Sequence, residues 1–314
     1  MDRSGSTGYG RNLRIVYFGT SDFAVPALKA LAPNVVLVVS QPDRPTGRGM
    51  KLQSSPVKKA ALELGLPVET PEKARTPEFV EYIQSLNADV HVVAAYGQIL
   101  SLKLLESAKN GGINLHGSIL PGYRGAAPIQ RSILNGDGET GVTLMQMDKG
   151  MDTGDMIAIT RTPIGPDETY GELQERLSII ARDLIRSWIV RLAKGDYPRI
   201  PQEPEFATYA NKIDRAETEL AVTRSAYEEY DRYRAFTPAP SVFLQTIHGR
   251  LKIKDAKFSP LESEPGKIVS LSPLTVSFVG ASIELITVQP EGKPSMSGTD
   301  WANGKQLKVG QDLV

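Results

Sequence analysis

The sequence predicts an α/β protein built on a doubly wound, mostly parallel sheet, followed by a small β-barrel resembling an OB-fold. Three observations carry that prediction. Short apolar, β-prone runs alternate with stretches of helical periodicity through 13–194, as successive βα units do. Periodicity then breaks up over 195–211, where Pro198, Pro201 and Pro204 fall close together, which marks an extended linker. Beyond it, over 212–314, one short helical stretch precedes five short β-type runs separated by turn residues, a pattern that suits a small barrel.

Taken in order, residues 1–12 are rich in Ser and Gly and lack the apolar segment of a signal peptide, so a frayed tail is expected there. The run 13–18 reads as a strand that ends in Gly19-Thr20-Ser21-Asp22, with a helix opening at Phe23. Gly19 stands alone, without the G-x-G-x-x-G that a dinucleotide would need. Strand 35–39 and helices 55–64 and 76–86 follow. The most apolar strand, 88–95, contains His91, read as a packed residue rather than a ligand. Then come strand 112–116, helix 127–134, strand 140–147 and its hairpin-like successor 155–163. Over 170–192, Leu173, Leu177, Ile180, Leu184, Trp188 and Leu192 recur at helical spacing, so a long helix closes the domain with Trp188 in its core. In the C-terminal part a helix is expected over 225–236 and strands over 241–247, 250–256, 267–271, 275–279 and 282–288, with His248-Gly249 as a hairpin turn. A linker of this kind would let a chain ending near Pro204 fold around its own sheet.

The chemistry is concentrated in 111–155. Asn114 and His116 sit two apart in Ile113-Asn114-Leu115-His116, so a strand there places both polar side chains on one face. Pro121, Gly122, Gly125 and Pro128 follow as loop punctuation, and Asp152 lies in a second Gly-rich turn, Gly150-Met151-Asp152-Thr153-Gly154. Singly, Asn and Asp in such loops often only cap turns, and a lone His is often only a satisfied polar residue. Together, an amide, an imidazole and a carboxylate at strand ends can polarise a carbonyl, move a proton and orient the imidazole.

Composition narrows the alternatives. With 314 residues, 40% hydrophobic and 23% charged, the chain is long enough for about two domains with a core in each. Zero cysteines exclude disulfides, Cys-ligated zinc and thiol nucleophiles, and fit a cytoplasmic location. No run approaches the roughly 20 apolar residues of a membrane span, so no membrane partner is expected; a monomer is expected. Formal net charge is +0, so local patches must decide on any nucleic-acid partner. One such patch is 41–59, where Arg44, Arg48, Lys51, Lys58 and Lys59 outnumber Asp43. The Pro, Gly and cationic residues of 41–52 read as a mobile surface loop without regular structure, either simply solvated or attractive to phosphate. By contrast, 212–314 holds thirteen Lys/Arg and thirteen Asp/Glu, so only clustering on one face would give it a basic surface.

Asn114-Leu115-His116, Ser118-Ile119-Leu120-Pro121 and Asp152-Thr153-Gly154 resemble the core motifs of the 10-formyltetrahydrofolate-dependent formyltransferases, with Ile119 in place of a Leu. Gln41-Pro42-Asp43-Arg44-Pro45-Thr46-Gly47-Arg48-Gly49 is similar to the inserted loop of the methionyl-tRNA formyltransferases, a branch of that family. Ala95-Tyr96-Gly97-Gln98-Ile99-Leu100, the stretch from Tyr123 to Arg131 and Arg234-Ala235-Phe236 match as well, so the likeness covers about 13–314. The resemblance implies a formyltransferase-like Rossmann variant over 13–194 and a tRNA-binding barrel over 212–314. It implies Asn114, His116 and Asp152 as catalytic residues, with His116 either base or cationic oxyanion partner. It further implies that Ser118, Ile119, Leu120 and Pro121 frame 10-formyltetrahydrofolate as co-substrate, without a metal. Arg44, Arg48 and Lys51 would contact an initiator methionyl-tRNA. The alternatives within the family are formyl transfer to a small amine, such as a glycinamide ribonucleotide or a sugar nucleotide, and formyltetrahydrofolate hydrolysis.

Overall fold

The run Ile15–Gly19 is buried along its whole length, as a parallel strand covered on both faces must be. The computed structural model describes residues 13–46 and 51–314. In order, the elements are β1 (Ile15–Gly19), α1 (Val25–Leu31), β2 (Val35–Val39), β3 (Arg44–Thr46), β4 (Lys51–Gln53), α2 (Pro56–Glu63), β5 (Val68–Glu69), α3 (Pro77–Ser85), β6 (Val90–Ala94), α4 (Leu102–Leu105), β7 (Gly112–His116), β8 (Arg124–Gly125), α5 (Pro128–Leu134), β9 (Glu139–Gln146), β10 (Met156–Pro163) and α6 (Tyr170–Lys194). After these come β11 (Tyr209–Ala210), β12 (Glu219–Leu220), α7 (Ala226–Ala235), β13 (Val242–Thr246), β14 (Gly249–Ser259), β15 (Ile268–Leu271), β16 (Leu274–Phe278), β17 (Ala281–Pro290), β18 (Met296–Ser297) and α8 (Gly298–Gly304). The described residues divide into two compact units: the first takes 13–46, 51–126, 141–162 and 174–209, the second 127–140, 163–173 and 210–314. Packing therefore draws α5 and the start of α6 to the C-terminal residues, although both lie inside 13–194.

The first unit carries a seven-stranded sheet in the order β10-β9-β7-β6-β1-β2-β5. From β1 the chain steps outward to β2 and β5, returns to β6 and steps the other way to β7, all in parallel register, before β9 adds antiparallel to β7. That reversal beside β1 is the switch point of a doubly wound sheet, whose crevice lies past the carboxyl ends of the strands. β7 delivers His116 to that end. The helices begin where their caps are: the Ser55, Thr76 and Ser101 hydroxyls accept from the backbone N–H of Lys58, Phe79 and Leu104, and Pro56 and Pro77 open α2 and α3 with preset φ. One face of the sheet packs Val16, Phe18, Leu37, Val39 and Val93 against Val80, Ile83, Leu104 and Leu105.

Two sequence-based expectations are corrected here. The segment 41–52, expected to be irregular, contains strand at 44–46 and from 51 on, because β3 and β4 pair antiparallel with Arg44 opposite Gln53 and Pro45 opposite Leu52; a proline tolerates this ladder because a lone two-stranded ribbon leaves one side of each strand free of partners. Trp188 is only half-buried, and the Arg191 guanidinium lies 4.7 Å above its ring; the buried stripe of α6 runs instead through Leu173, Leu177, Ala181, Ile185, Ile189 and Leu192.

His91 is packed, as expected. Its Nε2 lies 2.9 Å from the Ser107 hydroxyl, which itself donates to the Leu104 carbonyl, so the histidine is the donor. Nδ1 is buried without a partner, and Phe18 meets the ring edge-on. Burial pushes its pKa down to about 4, so the folded chain keeps the ring neutral where the unfolded chain protonates it. The associated stability is complete above the unfolded value near 6.5 and is lost as pH falls from about 6.5 to about 4, roughly 3 kcal/mol in all. Urea unfolding from pH 7 to pH 4.5 should show that slope, and His91→Gln should flatten it; an unchanged slope in the variant would remove His91 as its source.

The second unit is organised on an antiparallel sheet in the order β12-β13-β14-β17-β16-β15, with β18 on β17 and the short β12 parallel to β13. Alternation buries Leu244, Leu251, Ile253, Val276, Ile283 and Leu285. α7 is tied to the earlier segments by polar contacts. The Tyr230 hydroxyl donates to Asp167 Oδ1 at 2.9 Å, and Arg234 Nη1 donates to the carbonyls of Gly165 and Glu168. Arg131 of α5 pairs with Glu217 through both carboxylate oxygens, which holds that carboxyl below the usual range.

Candidate active site

Alternation along β7 sorts its side chains: Ile113 and Leu115 are buried in the core, whereas Asn114 and His116 both reach the carboxylate of Asp152. Asn114 Nδ2 donates to Asp152 Oδ1 at 3.4 Å, and His116 Nδ1 stands 3.7 Å from Asp152 Oδ2. The Gly125 N–H donates to Oδ2 at 2.9 Å. The amide, imidazole and carboxylate singled out in the sequence are thus brought together, from two segments 36 or more residues apart.

His116 is fixed from its far side. Its Nε2 lies 2.9 Å from the Tyr123 carbonyl oxygen. A carbonyl only accepts, so Nε2 carries a proton, and Nδ1 is the ring nitrogen turned towards Asp152. Tyr123 holds φ +62, a left-handed conformation costly for a bulky residue. It is kept there by its N–H donating to Thr208 Oγ1 at 2.8 Å while its carbonyl receives His116.

Asp152 also has positive φ, +53, and its loop is braced on both sides. Asp148 Oδ1 accepts from the Gly150 N–H and the Thr153 hydroxyl. Gly154 is obligatory in this shape, since a Cβ there would stand 1.9 Å from the Gln146 carbonyl oxygen. Gln202 Nε2 donates to the carbonyls of Asp152 and Gly154, both at 2.8 Å, and its Oε1 accepts from Arg124 Nε and Nη2 at 3.0 and 2.7 Å. Arg124, Gln202, Tyr123 and Thr208 were not singled out from the sequence. Gln202 and Thr208 fall in the Pro-rich stretch 195–211, and no spacing rule flags an isolated Gln or Thr there.

Gln202 should therefore act as a positioning residue. Gln202→Glu keeps an acceptor for Arg124 but sets carboxylate oxygen against two carbonyls, and the displaced Asp152 should cost tenfold or more in kcat on the order-of-magnitude scale for misplaced catalytic groups. KM should change little. Equal kcat in variant and wild type would show that the brace does not matter to turnover.

Of the four residues matched to the folate-framing motif, Ser118 and Leu120 are buried and engaged within the loop. The Ser118 hydroxyl donates to the Gly122 carbonyl, and the Thr143 hydroxyl bridges the Ser118 carbonyl and the Leu120 N–H. Ile119 and Pro121 are half-exposed and are the two with surface to offer a ligand. In the basic segment, Arg44 is exposed with Glu72 at 3.7 Å. Lys58 is taken by Asp43, at 2.9 Å from both oxygens, and holds that carboxyl below its usual range. Arg48 lies outside the described residues, as does the tail 1–12, and Lys51 is described only as the first residue of β4. Among the described residues no group of three or more His, Cys, Asp or Glu is placed to hold a metal ion, and no helix is long and apolar enough to cross a membrane.

Residues 13–187 match the formyl transferase family, and 212–306 match the formyl transferase C-terminal domain. The chain belongs to the formyl transferase family. Among curated formyltransferases it is 45% identical to the methionyl-tRNA formyltransferase of Symbiobacterium thermophilum, over 95% of this chain and 94% of that one. It is 44% identical to the enzyme of the same name from Sorangium cellulosum, over 96% and 99%. Among solved structures, an N-formyltransferase from Helicobacter canadensis, determined with folinic acid and dTDP-3-aminofucose, superposes with TM-score 0.64 at 20% identity over 86% of this chain and 98% of that one; at that identity the likeness is one of fold. The formyltransferase matches thus extend through both parts of the chain.

Proposed function

We propose that this enzyme transfers the formyl group of 10-formyltetrahydrofolate to the α-amino group of L-methionyl-tRNA, giving N-formylmethionyl-tRNA for translation initiation. The observation that carries this reading is identity of 40–45% to methionyl-tRNA formyltransferases along nearly the whole chain, C-terminal part included. An enzyme acting on a small amine, or a hydrolase, has no need of an exposed cation such as Arg44 in an inserted segment.

In this reading the neutral amine attacks the formyl carbon, a C–N bond forms and the carbonyl oxygen becomes an oxyanion. Asn114 Nδ2, half-exposed beside Asp152, donates to that oxygen. With Nε2–H committed to Tyr123, His116 Nδ1 takes the proton leaving the amine, and the Asp152 carboxylate stabilises the resulting imidazolium at 3.7 Å. Collapse restores the carbonyl, breaks the bond to N10 of the folate and returns a proton to that nitrogen. Ile119 and Pro121 border the folate. Arg44, Arg48 and Lys51 contact the acceptor end of the tRNA, and 212–314 contributes the remaining tRNA contact. The reaction places the enzyme in the cytoplasm, with the translation machinery. The test is product identification: incubation with 10-formyltetrahydrofolate and methionyl-tRNA, then mild deacylation, should yield N-formylmethionine and an equal amount of tetrahydrofolate. Formate release without formylmethionine would favour the hydrolase instead.

A further inference from the structure

The second unit has equal numbers of positive and negative side chains over 212–314, yet they are not evenly spread. On β14, Leu251 and Ile253 point into the core, so Arg250 and Lys252 share the outward face roughly 7 Å apart, and the half-buried Lys254 follows where the register to β17 shifts. Lys252 stands opposite Phe243 on β13 and Gln289 on β17. Glu219 lies in the same row but on the far side of Phe243. The Arg250 guanidinium covers the Phe243 ring at 3.6 Å, and its Nε is buried without a hydrogen-bond partner. Lys254 Nζ donates only to the Ser241 hydroxyl, at 3.3 Å.

Five carboxylates of this unit are committed elsewhere. Glu217 serves Arg131, the buried Glu229 serves Arg224 and Arg232, Asp231 serves Arg234, and Glu264 and Asp312 serve Lys267. Among the described residues none forms an ion pair with Arg250, Lys252, Lys254 or the neighbouring Arg215. Lys252 has its pKa lowered, first by desolvation and then by repulsion from Lys254, Arg250 and Arg215. The free protein therefore holds like charges together at a cost that an anion would reverse.

We propose that the outward face of β14, with Arg250, Lys252 and Lys254 and with Arg215 beside them, is where the second unit binds the phosphodiester backbone of the tRNA. This rests on the tRNA reading above. The occupant follows from the chemistry of the row, which offers neighbouring cationic donors without carboxylate partners and, in Phe243, an aromatic ring already covered by a guanidinium. That suits a repeating anion rather than an apolar protein anchor. It also explains how a charge-balanced segment gains a basic surface.

The test uses the full chain with Arg250→Gln, Lys252→Gln and Lys254→Gln combined, and a second variant with Lys252→Arg and Lys254→Arg. Affinity for methionyl-tRNA is measured from roughly 50 to 300 mM salt, where each lost phosphate contact lowers the slope of log affinity against log salt by about 1. The triple variant should lose about 2 to 3 from that slope, and its KM for methionyl-tRNA should rise on the order of tenfold near 0.15 M salt. Its kcat, folate affinity and melting temperature should be retained, and the arginine variant should match wild type. An unchanged slope and KM in the triple variant, with wild type active on methionyl-tRNA, would overturn this assignment and leave the functional reading intact. Loss of affinity for heparin but not for methionyl-tRNA would assign the row to another polyanion and overturn it equally. A wild-type protein that neither binds nor formylates methionyl-tRNA would overturn the functional reading itself.

Discussion

Asn114→Ala, His116→Ala and Asp152→Ala should each lower kcat for formyl transfer by about 10²-fold or more, with substrate binding far less affected. Asn114 and Asp152 are in hydrogen-bond contact, and Asp152 also faces His116 Nδ1 at 3.7 Å, so in the proposed reading the three groups serve one transition state. Removing the carboxylate leaves the imidazolium unpaired beside a half-buried amide; removing the imidazole leaves the departing proton without an acceptor. The double variant His116→Ala/Asp152→Ala should therefore be little worse than the poorer single variant, as expected for groups that act as a unit. Steady-state rates with both substrates saturating decide this. Near-wild-type turnover in any single variant would remove that residue from the chemistry, and strictly multiplicative losses would argue that the residues act independently.

A chain ending at Pro204 should fail to give a stable, active enzyme. The segments 127–140 and 163–173 belong to the same compact unit as 210–314. Truncation strips Arg131 of Glu217, Asp167 of Tyr230, and the carbonyls of Gly165 and Glu168 of Arg234. It also exposes the apolar face of α5, including Ile129 and Ile133. Within the first unit it removes Thr208, whose hydroxyl holds the Tyr123 N–H and whose carbonyl receives the Arg124 N–H. Buried apolar surface and buried hydrogen-bond partners lost together are among the mechanisms that give large destabilisations. Thermal melting and binding of a folate analogue should both fail or shift drastically. A truncated chain that melts cooperatively near the intact protein and binds the analogue as tightly would contradict this account of the packing.

That second prediction reverses what the sequence suggests, and the reason is physical. Strand and helix periodicity is local, so β2 and β7 fall on the residues expected of them and β1, β6, β9 and β10 within a residue or two, whereas the two-residue edge strand β5 is too short to leave a pattern and was not expected. Asn114 and His116 share a face because side chains alternate along a strand, and that too can be read directly. Which partners a loop finds across the chain is not local. The Pro-rich stretch 195–211 reads as a linker by composition, but Gln202 and Thr208 are structural partners of Asp152 and Tyr123. The basic segment 41–52 looks irregular residue by residue, yet pairing supplies what propensity lacks. Likewise Trp188 has the spacing of a core residue, but α6 rotates its apolar stripe enough to leave the indole half-exposed under Arg191. Charge on β14 is invisible in the net count and appears only once Leu251 and Ile253 fix the inward face.

The central claim is that the Asn114–His116–Asp152 site formylates an amine carried on tRNA, and the most direct measurement is kcat/KM for formyl transfer from 10-formyltetrahydrofolate to methionyl-tRNA and to free methionine, at one ionic strength. The account predicts that methionyl-tRNA is favoured by several orders of magnitude, since binding energy from the tRNA is available to position the amine. Equal values for the two acceptors would contradict it.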